Sequence, residues 1–158
     1  MDAEEVVTIV RWLTQRGVVY QINGGWAVDA LHGLQTRLHR DVDIFLDENH
    51  LAALMTWLNR RGYATVADEL PARIELRHEH YAVDLHPMVL DAFGHGVQQG
   101  LGDQVFHHRA NARTEGWING HPVIVATAER LRELRQGYEP REVDLHDLAI
   151  LEALSGTG

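Results

Sequence analysis

The chain has 158 residues, 45% of them apolar, and a formal net charge of −9; it is long enough for one domain with its own core and too acidic to bind nucleic acid through its overall field. The absence of cysteine excludes disulfides and thiolate metal sites. No stretch has the length and apolarity of a transmembrane helix, and the opening Met1 to Val7 lacks signal-peptide character, so a cytoplasmic protein with no membrane partner is expected.

Taken in chain order, Asp2 with Glu5 three residues on predicts a capped helix whose apolar face is Val6, Ile9, Val10 and Leu13, ending at Gly17. Val18 to Ile22 reads as a strand, Asn23-Gly24-Gly25 as a sharp turn, and Trp26 to Leu31 as a short helix. Gly33 to Arg40 reads as loop and Val42 to Leu46 as a second strand. Asp47 caps a helix with Leu51, Leu54, Met55 and Leu58 on one face, stopped by Gly62. Arg73 to Arg77 and Tyr81 to His86 form two antiparallel strands around His78-Glu79-His80. The glycine-rich stretch from Asp91 to Gly102 reads as a flexible loop, and Val105 to His107 as an edge strand. Asn119-Gly120 turns into a strand at Pro122 to Val125, and Thr127 caps a helix running to about Gln136. Pro140 suits the first turn of a last helix carrying Val143, Leu145, Leu148, Ile150 and Leu151, a stripe that suits core or interface. The sum is an α+β (mixed α/β) domain, a mixed sheet flanked by helices. It is expected to be a single domain over residues 1–158, with a core at 1–126 and a C-terminal helical segment at 127–158.

Asp41-Val42-Asp43 carries the sharpest chemical signal. Alternation along a strand puts Asp41, Asp43 and Phe45 on one face and the apolar Val42, Ile44 and Leu46 on the other. Two neighbouring carboxylates repel unless a cation sits between them, and oxygen-only ligands suit Mg²⁺. The bland alternative is a solvated strand end. Asp84 is a third acid, on the polar face of its strand with Ala82 and His86; it either joins the same cation or pairs with Arg73, Arg77 or Arg37. Gly24-Gly25 between a strand and a helix N-terminus can hold phosphate oxygens through backbone N–H groups, with charge from Arg37, His39 and Arg40 in the following loop, or it is a plain turn beside a solvated loop. Eleven histidines raise a zinc hydrolase as an alternative, but no His-Glu-x-x-His spacing occurs.

Together, Gly24-Gly25-Trp26-Ala27-Val28-Asp29, Gly33, Arg37 and His39-Arg40-Asp41-Val42-Asp43 resemble the antibiotic nucleotidyltransferases of the polymerase-beta-like superfamily, of the lincosamide and aminoglycoside 2″ types. Glu75 to Glu79 and Tyr81 to Pro87 look like that family's third-carboxylate hairpin, and Gly137-Tyr138, Asp144 and Asp147 like its C-terminal segment, so the resemblance spans about Ile22 to Leu151. Trp26 stands where the wider superfamily often has Ser. The resemblance implies the polymerase-beta-like fold. It implies transfer of a nucleoside monophosphate, AMP above all, from a Mg-NTP to a hydroxyl of a small cationic acceptor, with pyrophosphate released. It also implies two Mg²⁺ ions and ATP, with Asp41, Asp43 and Asp84 as metal and catalytic residues and Gly24, Gly25, Arg37, His39 and Tyr138 on the nucleotide. A homodimer could complete the acceptor cleft of so short a chain. Minimal members of the superfamily also act as antitoxins on a protein partner, the competing regulatory reading.

Overall fold

Asp2 accepts the backbone N–H of Glu5 and starts α1 (Ala3–Gln15), as the spacing of the two acids implies. The computed structural model describes residues 1–156. Over them the chain continues through β1 (Tyr20–Asn23), α2 (Gly24–His32), β2 (Asp41–Asp47), α3 (Leu51–Arg60), β3 (Ala64–Glu69), β4 (Arg73–His78), β5 (Tyr81–Leu90), β6 (Gly96–Gln99), β7 (Val105–His108), β8 (Arg113–Ile118), β9 (His121–Ala126), α4 (Ala128–Glu133) and α5 (Glu142–Ser155). The sheet runs β3-β4-β5-β2-β1-β9-β8, with β1–β9 and β2–β5 parallel and the other neighbours antiparallel. The β6–β7 hairpin extends the far end of β5 through Val89 and Leu90. This is the mixed sheet with helices that the sequence implies.

The alternation read from the sequence sorts the sheet into two faces. Val42, Ile44 and Leu46 of β2 and Val83 and Leu85 of β5 are buried in one cluster with Val6, Ile9, Val10 and Leu13 of α1 and Leu54 and Leu58 of α3. Each such side chain contributes roughly 1.5–3 kcal/mol when fully buried. The opposite face of β2 and β5 carries Asp41, Asp43 and Asp84, so the core that stabilises the sheet also aims the acids.

Several expectations need correction. Residues 96–99, read as flexible loop, form β6, because the end of β5 offers them a hydrogen-bonding edge that composition does not reveal. Two strands went unread: β3, mostly exposed, and β8, whose outward positions are polar or exposed, both without an apolar alternation. Only the C-terminal part of the α5 stripe is buried, Leu151 in the core with Ile150 packed against it. Asp144, Asp147 and Leu151 face inward, while Val143 and Leu145 are exposed, because arginines meet the two acids.

Candidate active site

Antiparallel pairing of β1 with β2 sets Asn23 opposite Asp43, so the Gly24-Gly25 turn begins where the acids stand. Parallel pairing of β2 with β5 sets Asp43 directly opposite Asp84, and Asp41 opposite Ala82. The three acids thus share one patch, as the sequence spacing allows. Gly24 has a φ of +69°, and a β-carbon there would overlap the Asp43 carboxylate. Gly24→Ala therefore combines strain of about 1–2 kcal/mol at positive φ with displacement of Asp43. Loss of at least about tenfold in turnover is expected from a variant that still folds, measured by steady-state kinetics beside thermal melting.

A cavity of about 620 Å³ opens beside Asp41 and Asp43, lined also by Gly24, Gly25, Arg37, Arg135 and Tyr138; Arg37 packs directly against Gly25, and Asp84 is not among the lining residues. Burial, and then the neighbouring charge of Asp43, hold the Asp41 carboxyl above its ordinary range. Burial likewise raises Asp84; His86 and Arg73 oppose that rise and the charge of Asp43 adds to it. One Asp84 oxygen, Oδ2, accepts from Arg73 Nη1, so the salt bridge considered from the sequence exists. The other oxygen, Oδ1, is buried without a hydrogen-bond partner among the described residues, as is His86 Nε2, 3.9 Å away. His86 Nε2 also lies 3.5 Å from Asp43 Oδ1. Asp43, Asp84 and His86 each offer an atom within 4.8 Å of the others, close enough to surround a cation. An unpartnered carboxylate oxygen beside a second carboxylate fits a hard divalent ion.

Arginines supply the charge of the lining, and the chain has fourteen arginines and no lysine. Arg37 Nε and Nη2 donate to both oxygens of Asp147, at 2.9 and 3.0 Å. Arg135 Nη2 donates to Asp147 Oδ2 at 2.9 Å, while its buried Nε has no hydrogen-bond partner among the described residues. Arg141 donates to Asp144, whose carboxyl it pulls down to about 2. Arg135 and Arg141 are cavity residues that the sequence reading passed over. Arginines in charged helical turns read as solvated, and their partner acids lie on the next helix.

His39 is placed differently from the other candidates. It is buried against Trp26, ring centroids 4.4 Å apart, and its Nε2 pairs with Asp29 Oδ2, so it does not line the cavity. Its Nδ1 lies 2.7 Å from where a Gly25 β-carbon would stand, bracing the turn from beneath. Asp29 also accepts from Thr36 Oγ1, tying the loop between α2 and β2 to α2. Burial alone would raise Asp29, but hydrogen bonds from His39 and Thr36 outweigh it and the carboxyl sits below its ordinary value. Its contribution to stability is thus complete above the unfolded value of about 4 and is lost as pH falls through the lower folded value. Asp29→Ala leaves His39 buried without its partner. A loss of about 3 kcal/mol, roughly 10 °C in melting temperature, is expected at pH 7, with the gap to the parent chain narrowing in acid. Equal melting temperatures at pH 7 would dismiss the clamp.

The chain matches the family model described as aminoglycoside-2″-adenylyltransferase over residues 5–151. A lincosamide resistance protein of Staphylococcus haemolyticus is 32% identical over 155 residues, covering 96% of this chain and 95% of that protein. The crystal structure of a lincosamide antibiotic adenylyltransferase with lincomycin bound is similar, with a TM-score of 0.87 and 28% identity over 96% of each chain. The antibiotic-resistance factor ANT(2″)-Ia, in complex with adenylyl-2″-tobramycin, shares the fold, with a TM-score of 0.71 and 17% identity over 98% of this chain and 95% of that one. These relatives favour the enzymatic over the regulatory reading. Because the family match covers residues 5–151, a span that holds the glycine turn, all three acids, α4 and most of α5, the chain belongs to the aminoglycoside-2″-adenylyltransferase family and is an antibiotic-type nucleotidyltransferase.

Proposed function

We propose that this enzyme transfers AMP from Mg²⁺-bound ATP to a hydroxyl of a lincosamide-type acceptor in the cytoplasm. The observation that carries this reading is the register of β2 and β5, which sets Asp43 against Asp84 with Asp41 beside them, next to a glycine turn. Asp41 and Asp43 would hold Mg²⁺, with Asp84 at the edge of the site. When bound, Mg²⁺ supplies charge neutralisation at the α-phosphate and at the departing pyrophosphate.

The remaining roles belong to the chain's own groups. Backbone N–H groups of Gly24 and Gly25, at the start of α2, donate to phosphate oxygens, with His39 bracing that turn from below. Arg37, against Gly25, and Arg135 add positive charge for the triphosphate, and Tyr138 offers its ring among the lining residues. Asp84 takes the proton of the acceptor hydroxyl as its oxygen bonds to the α-phosphorus. The bond from that phosphorus to the oxygen of the β-phosphate breaks in line, and pyrophosphate leaves. In this reading residues 1–126 supply the carboxylates and the C-terminal helical segment supplies Arg135 and Tyr138 within one domain.

The acceptor class rests on two supports. The more similar relatives are lincosamide proteins. In addition, the acids lining the cavity beyond Asp41 and Asp43 are already matched: Asp144 by Arg141, and Asp147 by Arg37 and Arg135. Such walls suit an acceptor with a single amine better than a polyamine. The test is pyrophosphate release with each of four NTPs and Mg²⁺ against lincomycin and tobramycin, with product masses. ATP with lincomycin should give a product heavier by one AMP. Turnover of tobramycin but not lincomycin, or no release with either, would overturn the assignment.

A further inference from the structure

We propose that Asp147, on α5, is a positioning residue for the nucleotide: it clamps Arg37 and Arg135 together so that their remaining N–H groups meet the polyphosphate tail. The inference rests on the nucleotide reading proposed above. It gives a part to a buried acid that reaches the phosphates only through those two arginines.

Two guanidinium groups brought into one cavity repel each other, and a carboxylate between them reverses that. The Asp147 side chain is only 3% exposed, and both its oxygens are engaged. Arg37 spans them as a fork, Nε on Oδ1 at 2.9 Å and Nη2 on Oδ2 at 3.0 Å. Arg135 Nη2 joins at Oδ2, 2.9 Å away. Two guanidinium charges against one carboxylate leave the cluster cationic in a chain whose net charge is −9. The three residues come from separate segments: Arg37 from the loop before β2, Arg135 from the turn after α4, and Asp147 from α5. Next to this contact Thr36 Oγ1 and His146 Nε2 lie 2.9 Å apart, so neighbouring residues of loop and helix pair in step.

What the clamp leaves open points to an anion. Arg37 Nη1 donates to the Leu38 carbonyl at 3.2 Å, so one hydrogen each on Nη1 and Nη2 is left. Nη2 lies where a Gly25 β-carbon would stand, which places the guanidinium at the glycine turn itself. Arg135 donates through Nη1 to the Leu131 carbonyl at 3.0 Å and through Nη2 to Asp147. Its side chain is only 7% exposed, yet Nε has no hydrogen-bond partner among the described residues. Buried donors are ordinarily satisfied, and Arg135 lines the cavity with Arg37, Gly24 and Gly25. A phosphate chain offers several acceptor oxygens to such a pair. Asp147 has no donor to offer a phosphate and both its oxygens are occupied, so its effect on the nucleotide runs through the arginines.

The test is calorimetry of the full chain with ATP and with inorganic tripolyphosphate, each with Mg²⁺, beside steady-state kinetics with lincomycin. Asp147→Asn keeps the size of the side chain and removes the charge that draws the arginines together. It should weaken both ligands about tenfold, the scale of one charge-assisted contact, and leave KM for lincomycin within about twofold. Arg37→Gln should weaken them by a similar factor, and the double variant by well under the product of about a hundredfold. Unchanged affinity in Asp147→Asn, an equal rise in KM for lincomycin, or full multiplication in the double variant would overturn the proposal. Arg37→Lys keeps the charge and loses the fork, so it should also weaken tripolyphosphate about tenfold. Parent-like affinity there would overturn the proposal too, and this variant decides if Asp147→Asn does not fold. If the parent chain transfers no AMP to lincomycin while tripolyphosphate affinity still depends on Asp147, the substrate assignment falls and the positioning role stands.

Discussion

Asp43→Asn is expected to lower turnover by about 10³-fold or more while leaving the fold intact. Asp43 faces Asp84 across one strand pair, follows Asp41 by two residues on the same face, and packs under Gly24, so it is central to the carboxylate patch. Removing its charge takes away several kcal/mol of phosphate-charge compensation if a divalent ion binds there, and each 1.4 kcal/mol is a factor of ten in rate. Stability should move the other way. Asp41 and Asp84 are both held above their ordinary range in part by the charge of Asp43, so the neutral amide relieves repulsion in the metal-free protein. The variant should melt at or above the parent temperature and yet be inactive. Activity within a few-fold of the parent at ordinary Mg²⁺ would remove the basis of the mechanism.

Asp84→Asn should separate two roles. Its Oδ2 is held by Arg73, and its Oδ1 is free toward Asp43 and His86, the geometry of a group fixed at one end and available at the other. As base for the acceptor hydroxyl, its loss should lower kcat by about 10²–10⁴-fold with ATP and Mg²⁺ affinity near normal. As a metal ligand, its loss should instead raise the Mg²⁺ requirement, with kcat recovering at saturation. The account expects mainly the first result. Mg²⁺ and ATP titrations with kcat measured separately decide, and near-parent kcat at saturating Mg²⁺ would exclude the base role.

What could be read from the sequence was whatever depends on short-range periodicity. Asp41, Asp43 and Asp84 stood out because each interrupts or flanks an alternating strand whose other face is apolar, and that alternation is what the sheet uses. The pairing of β2 with β5 does not show in local periodicity, since strand order is a long-range property. His39 looked like a phosphate contact because it sits among basic loop residues; its burial comes from Asp29, ten residues back and on α2. The α5 stripe held only in part, for a related reason. Leu151 is core, but Val143 and Leu145 are exposed, because Arg37, Arg135 and Arg141 come from outside that helix and turn Asp144 and Asp147 inward. β6 was hidden by the glycines in and around it.

The central claim is that the carboxylate patch and the glycine turn together form one metal–nucleotide site. The most direct measurement is the anomalous scattering of Mn²⁺ in crystals grown with a non-hydrolysable ATP analogue. The account expects Mn²⁺ between Asp41 and Asp43, within reach of Asp84, and the triphosphate against Gly24 and Gly25 with Arg37 and Arg135. Manganese elsewhere, such as the separate cavity lined by His95 and His107, or a triphosphate away from the glycine turn, would contradict it.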